Sequence, residues 1–332
     1  MLGYNVLTMR AVVCRQYGPP ESLAIEEMPS PTPGPSEVVV SVKAASVNFP
    51  DILIIQNKYQ LKPPLPFSPG SELSGVVKEV GAGVTRVKPG DRVMGFIGHG
   101  AFAEEVKTGE APLLGIPRGM DFITAAAFTL TYMTSDHALS DRGALRAGET
   151  LLVLGAAGGV GLAAVEIGKA LGARVIGCAS SEEKLAVCRA HGADETVDYD
   201  HEDLRQRINE VTAGRGVDVV YDAVGGPYTE PALRSTAWRG RLLVVGFATG
   251  EIPKIPLNLA LLKGCSIVGV FVGEFMRRER ERFAARADQL NSWFQEGKLK
   301  PHVSATLPLE RAPEALARVA GRRVHGKLVL IM

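Results

Sequence analysis

The chain lacks the features that would place it in a membrane, on a nucleic acid or in a disulfide framework. Its 37 Lys and Arg residues balance 36 Asp and Glu, so a net charge of +1 creates no field that attracts nucleic acid or anionic lipid. No apolar stretch reaches membrane-spanning length, since the longest candidate contains Glu166 and Lys169. The 4 cysteines have no metal-ligand spacing and indicate a reducing compartment. We expect a cytoplasmic protein without nucleic-acid or membrane partners.

We also expect the first residues not to be a secretion signal. Residues 1–8, MLGYNVLT, have neither the basic region nor the apolar core of a signal peptide. Met9 is an alternative start, and in that case we expect the residues before it to be disordered. With 332 residues the chain is too long for one compact core, so two domains are expected.

The most informative local pattern is a glycine-rich turn between a predicted strand and a predicted helix. The apolar run Leu151–Leu154 is typical of a buried strand, and Gly155, Gly158 and Gly161 follow it with G-x-x-G-x-x-G spacing. Gly155 allows a sharp turn, and Gly158 and Gly159 carry no Cβ that would hold a diphosphate away from the backbone. Gly161 lets the helix lie close to the sheet. The helix N-terminus would bind a pyrophosphate, although a purely structural strand–helix–strand unit has the same pattern.

The residues after the second predicted strand, Arg174–Cys178, indicate which dinucleotide would bind. An NAD enzyme usually has Asp or Glu at this point to bind the ribose hydroxyls. This chain has Ser180 and Ser181 instead, with Lys184 one turn into the next helix. Two hydroxyls and an ammonium suit a 2′-phosphate, which favours NADPH. Ser180 and Glu183 also fit a capping box, and both interpretations can hold together.

The two halves of the chain have different secondary-structure patterns. Residues 11–115 are rich in β-branched residues, glycine and proline, as in an irregular β-rich domain. After residue 150, predicted strands alternate with helices and indicate a parallel sheet of the doubly wound dinucleotide-binding fold. The predicted strands lie near 151–154, 174–178, 195–198, 217–222, 241–246 and 265–271.

Several further motifs along the whole chain add to the evidence that the glycine turn gives for a dinucleotide-binding protein. They are SVNFPDILIIQNKYQ (46–60), PPLPFSPGSELSGVV (63–77), VGAGVTRVKPGDRVMG (80–95), AAFTLTYMTSDHAL (126–139), LGAAGGVGLAAVEIGKALGARVIG (154–177), DVVYDAVGG (218–226) and LLVVGFATG (242–250). With them, residues 9–332 resemble the zinc-free quinone oxidoreductase branch, similar to zeta-crystallin, of the medium-chain dehydrogenase/reductase superfamily. The resemblance implies a GroES-like β-rich catalytic domain (1–130 and 275–332) and a six-stranded parallel Rossmann domain (131–274), with the active site in the cleft between them.

The chain departs from the zinc-dependent members of that superfamily at the metal ligands. Those enzymes have a Gly-His-Glu triplet and a lobe of clustered cysteines, whereas this chain has Gly70-Ser71-Glu72 and scattered cysteines. A tetrahedral zinc site needs three or four converging ligands, so we expect no metal. Without a Lewis acid an alcohol is a poor substrate, and an acceptor that is itself electrophilic is favoured.

The resemblance implies catalytic roles for Asn48, Tyr59 and Tyr132. The Asn48 amide would bond the ribose or the acceptor carbonyl, the Tyr59 hydroxyl would donate to a substrate oxygen, and Tyr132 would line the nicotinamide side. Alternatives are a helix cap before Pro50 for Asn48 and simple ring packing for the two tyrosines.

The resemblance also implies a set of cofactor contacts. They are Ala157, Gly158, Gly159, Val160, Gly161, Ser180, Lys184, Tyr199, Gly246, Phe247, Phe271, Gly273 and Lys327. Of these, Lys327 is the basic residue that would approach the cofactor phosphates, and a solvated lysine at a strand end is its alternative.

The function expected from these residues is NADPH-dependent reduction of a quinone or another conjugated acceptor. Reduction of enones or of enoyl thioesters such as acryloyl-CoA is an alternative, with Lys58 and Lys62 as candidates for binding coenzyme A phosphates. A non-catalytic, crystallin-like NADPH-binding protein is another. The apolar segment Cys265–Val272 is expected to be an edge strand that pairs across a two-fold axis in a homodimer.

Overall fold

The computed structural model describes residues 7–332. The strands, numbered in chain order, are β1 (Thr8–Val13), β2 (Ala24–Pro29), β3 (Glu37–Val47), β4 (Glu72–Val80), β5 (Arg92–Phe96), β6 (Glu105–Gly109), β7 (Leu113–Gly115), β8 (Thr150–Leu154), β9 (Arg174–Ala179), β10 (Glu195–Asp198), β11 (Val217–Asp222), β12 (Thr236–Val244), β13 (Ser266–Gly269), β14 (Val303–Pro308) and β15 (Lys327–Ile331). The α-helices are α1 (Phe49–Ile55), α2 (Phe122–Ala126), α3 (Thr129–Asp136), α4 (Gly159–Ala170), α5 (Glu182–Ala190), α6 (Leu204–Val211), α7 (Thr229–Arg234), α8 (Asn258–Lys263), α9 (Val272–Arg278), α10 (Arg280–Gln295) and α11 (Ala312–Ala320). A π-helical turn, His137–Arg142, continues α3.

The chain divides into two compact units. The first contains the described residues up to Leu130 together with His302–Met332, and the second is Thr131–Pro301. Of the residues before Met9, residues 1–6 lie outside the described range. Thr8, for which we expected disorder, is in β1 and pairs with Pro29 of β2. Among residues 7–332, no helix has the length and apolar character needed to cross a bilayer.

The chain returns to the first unit later than the sequence prediction placed it, at residue 302 instead of 275. The charged stretch after residue 275 forms α9 and α10, which remain in the second unit. Phe275 stacks on His137, with ring centroids 4.2 Å apart. Arg286 of α10 donates to Asp136 at 2.7 Å. Charge and helical texture alone do not show which unit a helix joins, because these partners lie over a hundred residues away.

The sheet of the first unit brings together β3, β4 and β15, which lie far apart in the sequence. Its strand order is β14-β15-β3-β4-β5-β7, and β6 also pairs with β3. The antiparallel register of β15 and β3 sets Leu328 opposite Val47, so Lys327 lies beside the start of α1. The register of β3 and β4 sets Ser46 opposite Glu72. These registers gather polar side chains at one end of an otherwise apolar core. The β-rich unit is the GroES-like domain that the sequence predicts.

The second unit is built on a six-stranded parallel sheet with the order β10-β9-β8-β11-β12-β13. Its central strand β8 is fully buried, as the apolar run at 151–154 predicts. The strand order reverses between β8 and β11, and dinucleotides bind outside the carboxyl ends of the strands at such a switch point. The predicted Rossmann-type sheet is confirmed.

Candidate functional site

The glycine turn after β8 has the close packing that the sequence predicts. Gly155 has φ +68°, in the left-handed region that glycine adopts without strain. A Cβ added to Gly161 would lie 2.1 Å from the Gly155 carbonyl oxygen, so the start of α4 can lie this close to the turn only without a side chain. Gly158 is the N-cap of the twelve-residue α4.

Gly158 has a different reason to lack a side chain. A Cβ at this position would meet only the Gly155 carbonyl oxygen, at 3.4 Å, which is ordinary contact. Protein packing therefore does not require a glycine here, whereas a ligand that approaches the backbone would. The unpaired N–H groups of the α4 N-terminus and the helix dipole favour an anion at this place. The turn Ala157–Gly161 thus fits the pyrophosphate of a dinucleotide.

The residues predicted to read the adenosine phosphate lie together at the end of β9. The Lys184 ammonium donates to the Ser180 hydroxyl at 2.9 Å. Ser181 is the N-cap of α5, and its hydroxyl accepts from the Lys184 backbone N–H. The dipole of a helix does not favour a lysine in its first turn, so Lys184 is not there to stabilise the dipole of α5. The predicted capping role belongs to Ser181, one residue later than expected.

Tyr199 lies beside this group because β10 and β9 pair in register. Asp198 is opposite Ala179, so the residue after each strand, Tyr199 and Ser180, leaves the same edge of the sheet. The Tyr199 ring packs on Tyr228 with centroids 4.3 Å apart. Tyr228 was not predicted, since it lies in a short turn, Gly226–Tyr228, without a local motif.

The candidates for the nicotinamide half of the cofactor leave the same edge after β12 and β13. Gly246 donates its N–H to the Asp222 carbonyl oxygen at 3.2 Å, which ties the loop after β12 to the end of β11. The Phe271 side chain is 51% exposed. Phe247 lies in the loop after β12, and Gly273 is the second residue of α9, which begins directly after Phe271. The sheet brings these residues to one edge, and their contact with a cofactor remains a prediction.

Tyr132 makes its hydrogen bond inside the second unit. Its hydroxyl donates to Glu166 of α4 at 2.7 Å. The same carboxylate accepts from the Lys300 N–H at 3.0 Å and contacts His191 Nδ1 at 2.6 Å. Burial, and then the Glu166 charge, raise the pKa of Tyr132. The phenol is therefore a weak acid in an internal network, and its place at the nicotinamide remains a prediction.

Asn48 is the N-cap of α1, in agreement with the capping alternative. Its side chain, however, faces a buried polar cluster of Ser46, Asn48, Asp51, Glu72 and Lys327. Asn48 Nδ2 lies 3.2 Å from both oxygens of Ser46, the carbonyl and the hydroxyl, and 3.3 Å from Glu72 Oε2. Its Oδ1 accepts from the Lys327 ammonium. Because the amide nitrogen faces acceptors of the protein, a ligand can bond this amide only through Oδ1.

Glu72 is the hub of this buried polar cluster. Its Oε1 accepts from the Leu130 N–H at 2.7 Å, and its Oε2 accepts from Ser46 Oγ at 2.5 Å. The Lys327 ammonium lies 3.5 Å from Oε2. Lys327 is only 6% exposed, so the alternative of a solvated strand-end lysine is wrong. Contact between Lys327 and cofactor phosphates remains a prediction.

Asp51 adds a second buried carboxyl to the cluster. Its Oδ2 accepts from the Asn48 N–H at 2.8 Å. The buried Ser71 hydroxyl and Asp51 Oδ1 make no hydrogen bond of good geometry, although Ser71 is near enough to lower the pKa of Asp51. Burial dominates and raises that pKa to about 7. Burial, and then the Asp51 charge, raise the pKa of the half-buried Tyr59, so its phenol lies within the field of the cluster.

The raised pKa of Asp51 predicts how stability depends on pH. The folded chain holds this proton up to about pH 7, whereas an unfolded chain releases it near about pH 3.9. The free energy of unfolding therefore falls as pH rises across that window, by up to about 4 kcal/mol. Asp51→Asn keeps an acceptor for the Asn48 N–H and should lack this decrease. Urea unfolding at about pH 5 and about pH 8 measures it; equal pH dependence in both proteins would contradict the assignment.

The triplet Gly70-Ser71-Glu72 corresponds to a zinc-ligand triplet, but its carboxylate is hydrogen-bonded to other groups of the protein. Ser71 stands where the zinc enzymes have histidine, and the Glu72 oxygens accept from backbone and side-chain donors. Among residues 7–332, no group of three or more His, Cys, Asp or Glu side chains is arranged to hold a metal ion.

Asp51 and Glu72 belong to the site, although neither was predicted from the sequence. Asp51 follows Asn48 by three residues, the spacing of a capping box, and this signal could have identified it. Glu72 and Lys327 lie in strands far from α1 in the sequence, so only the strand registers bring them to Asn48.

Comparison with known proteins places the chain in a family. The model of the alcohol dehydrogenase GroES-like domain matches residues 34–118, and that of the zinc-binding dehydrogenase family matches residues 159–291. A quinone oxidoreductase-like protein 2 homolog of Nematostella vectensis is 41% identical over 97% of this chain and 88% of its own length. Quinone oxidoreductase of Escherichia coli, solved in complex with NADPH, is 30% identical with a TM-score of 0.92, over 97% of this chain and 100% of its own.

The cofactor named for similar structures is not uniform. A structure described as an NAD-dependent alcohol dehydrogenase is 36% identical with a TM-score of 0.89, over 98% of this chain and 100% of its own. Likeness alone therefore does not choose between the two cofactors. The identity and coverage of the relatives, together with the two matched domains, establish the family. The chain belongs to the quinone oxidoreductase branch of the medium-chain dehydrogenase/reductase family and is an oxidoreductase.

Proposed function

We propose that this protein reduces a quinone or another conjugated acceptor with NADPH, without a metal ion. The observation that carries the proposal is the triplet Gly70-Ser71-Glu72, in which the ligand histidine is absent and Glu72 is bonded to protein donors. A site of this kind suits an acceptor that needs no Lewis acid. Relatives named as quinone oxidoreductases support the acceptor class.

The preference for NADPH rests on the residues after β9. Ser180, the N-terminus of α5 and the Lys184 ammonium together offer donors and positive charge to a 2′-phosphate. The first carboxylates after β9, Glu182 and Glu183, lie in the first turn of α5 and not at the end of the strand, where an acid usually binds a free ribose diol. When bound, NADPH supplies the hydride for the reaction. The turn Ala157–Gly161 would hold its pyrophosphate.

The side chains of the first unit would orient the acceptor and the nicotinamide. Positioning alone can supply a large part of the rate when an acceptor is already electrophilic. Asn48 would accept from a ribose hydroxyl through Oδ1. Tyr59 would donate a hydrogen bond, and finally a proton, to the oxygen or carbon that becomes negative on reduction.

The acceptor class is tested by NADPH oxidation against a panel of benzoquinone, naphthoquinone, a simple enone and crotonyl-CoA. We expect the quinones to have the highest kcat/KM. A preference for crotonyl-CoA would favour the enoyl thioester alternative, which the exposed Lys58 and Lys62 on either side of Tyr59 support. Tight NADPH binding without turnover of any acceptor would favour a non-catalytic protein.

Replacing Tyr59 should distinguish quinone from enone chemistry. Tyr59→Phe keeps the ring and removes the hydroxyl. Quinone reduction should fall by less than about tenfold, since a hydroquinone oxygen can take its proton from water, whereas enone reduction should fall by about 100-fold or more, because a carbon must be protonated within the site. Steady-state kcat/KM for both acceptors measures this. A thousandfold loss with a quinone would show that a dedicated acid is required.

An exposed apolar face of the second unit supports the predicted homodimer. β13 is an edge strand of the six-stranded sheet. Trp238 is 74% exposed and Leu261 is 78% exposed, and Leu257, Leu262 and Ile267 are also exposed. Such a face and edge suit pairing with a second copy. Light scattering should give a dimer mass, and Leu261→Asp with Leu262→Asp should give a folded monomer. A wild-type monomer at micromolar concentration would contradict this.

We retain the proposal of a reducing, cytoplasmic location. The four cysteines are all unpaired, and three of them are buried. Burial raises the pKa of Cys188 to about 12 and also raises that of Cys178, so these thiols are poor nucleophiles. Fluorescence microscopy of a tagged full chain tests the location.

A further inference from the structure

Lys327 has an environment that is unusual for a lysine. It is the first residue of β15, it is 6% exposed, and its ammonium faces three acceptors. These are the Val47 carbonyl oxygen at 3.3 Å, Asn48 Oδ1, and Glu72 Oε2 at 3.5 Å. An ammonium has three hydrogens, so these acceptors use its whole donor capacity.

Lys327 and Glu72 together select one orientation of the Asn48 amide. The ammonium faces the amide oxygen, and the Glu72 carboxylate lies 3.3 Å from the amide nitrogen. A rotated amide would turn its N–H groups to the ammonium and its oxygen to the carboxylate, and both contacts would be repulsive. The amide therefore has a defined polarity, with Oδ1 on the Lys327 side.

The backbone of Asn48 is held separately. Asp51 Oδ2 accepts from the Asn48 N–H at 2.8 Å and fixes the start of α1. Changes at Lys327 and Glu72 can therefore alter the amide while this backbone bond remains. The titratable groups that face the cluster are Asp51, Glu72, Lys327 and, through the Asp51 charge, Tyr59.

We propose that Lys327 is a positioning residue that fixes the polarity of the Asn48 amide, with Glu72 as its counter-charge. This inference rests on the proposed function, in which Asn48 Oδ1 accepts from a hydroxyl of the cofactor ribose and so orients the nicotinamide toward the acceptor. It assigns Lys327 a task different from a contact with cofactor phosphates. Loss of Lys327 should then affect turnover more than NADPH binding.

The test uses a double variant, because Lys327→Met alone leaves the Glu72 carboxylate buried without a counter-charge and is expected to fold poorly. Lys327→Met with Glu72→Gln removes both charges, and a glutamine can still accept from the Leu130 N–H. The matched control is Lys78→Met with Glu105→Gln, which removes a 2.8 Å ion pair from the same sheet. Thermal unfolding, NADPH affinity and kcat/KM are measured for each.

We expect the double variant to fold and to lose about 10–100-fold in kcat/KM, on the scale of a misplaced contact. Its NADPH affinity should change less than about threefold, and the control should match the wild type. In an Asn48→Ala background the double substitution should cause no further loss, since there is no amide left to orient. The proposal would be overturned if the double variant kept full activity, or if it lost only NADPH affinity. It would also be overturned if the double substitution lowered kcat/KM equally in the Asn48→Ala background.

A second readout does not depend on the acceptor. NMR of the Asn48 side-chain amide, assigned by its absence in Asn48→Ala, reports whether its hydrogens are protected from solvent exchange. Protection in the wild type and its loss in the double variant support the positioning role; unchanged protection overturns it. If the wild type reduces no acceptor but shows this difference, the proposed function fails and the orientation by Lys327 stands.

Discussion

Gly161→Ala should destabilise the protein and weaken NADPH binding together. The new Cβ would lie 2.1 Å from the Gly155 carbonyl oxygen and under 3.0 Å from two backbone atoms of Ala156. Backbone cannot move aside as a flexible side chain can, so the turn or the start of α4 must shift. Overpacking of this kind costs about 1–3 kcal/mol or more. Thermal unfolding of the ligand-free protein measures the loss of stability, and titration with NADPH measures the loss of affinity.

Gly158→Ala is the matched variant, because the same methyl group would there meet only ordinary contact from the protein. Gly158 has φ −79° and ψ 170°, which alanine adopts without strain. The free energy of unfolding should therefore change by less than about 0.5 kcal/mol. NADPH binding should weaken at least tenfold, because the methyl group would occupy the place of the pyrophosphate. A destabilised Gly158→Ala that binds NADPH normally would contradict the assignment of the turn.

Lys184→Ala should weaken NADPH binding by about 1.5–3 kcal/mol, which is roughly 10–150-fold, and leave NADH binding almost unchanged. The ammonium would make a charge-assisted contact that only the 2′-phosphate offers. Removal of a cation from the first turn of α5 should not destabilise the helix. Titration of both cofactors, with and without added salt, measures the difference.

Lys298→Ala is the control for the loss of one positive charge from the second unit. Lys298 pairs with Glu296 at 2.7 Å, and we expect no change in the preference between the cofactors. If Lys184→Ala weakened NADPH and NADH equally, or weakened neither, Lys184 would not be the residue that recognises the phosphate. The preference for NADPH would then need another explanation.

The parts of the fold that could be predicted are those determined by residues close together in the sequence. The apolar run 151–154, the glycine spacing and the helix after it specify one strand, turn and helix, and the structure has them at Thr150–Leu154 and Gly159–Ala170. Repetition of the unit then predicts a parallel sheet, because each helix returns the chain to the end of the sheet at which the previous strand began. Tyr199 could be placed near Ser180, because the two residues follow strands that leave the same edge of this parallel sheet.

The buried polar cluster could not be predicted, since its members come from β3, α1, β4 and β15. The sequence predicts Lys327 either as a contact of the cofactor phosphates or as a solvated lysine at a strand end. Only the register between β15 and β3 shows that its ammonium lies beside Asn48. In the same way, the return of the chain to the first unit depends on partners such as Asp136 and Arg286, which lie far apart in sequence.

In the proposed reaction, NADPH reduces a conjugated acceptor at this site without help from a metal ion. The most direct measurement is a single-turnover reaction of the enzyme with NADPH and naphthoquinone, before and after dialysis against a chelator, with metal content determined by elemental analysis. We expect one NADPH to be oxidised for each quinone reduced, at the same rate in both samples and without stoichiometric zinc. A rate that chelation abolishes and added zinc restores would contradict the proposed reaction.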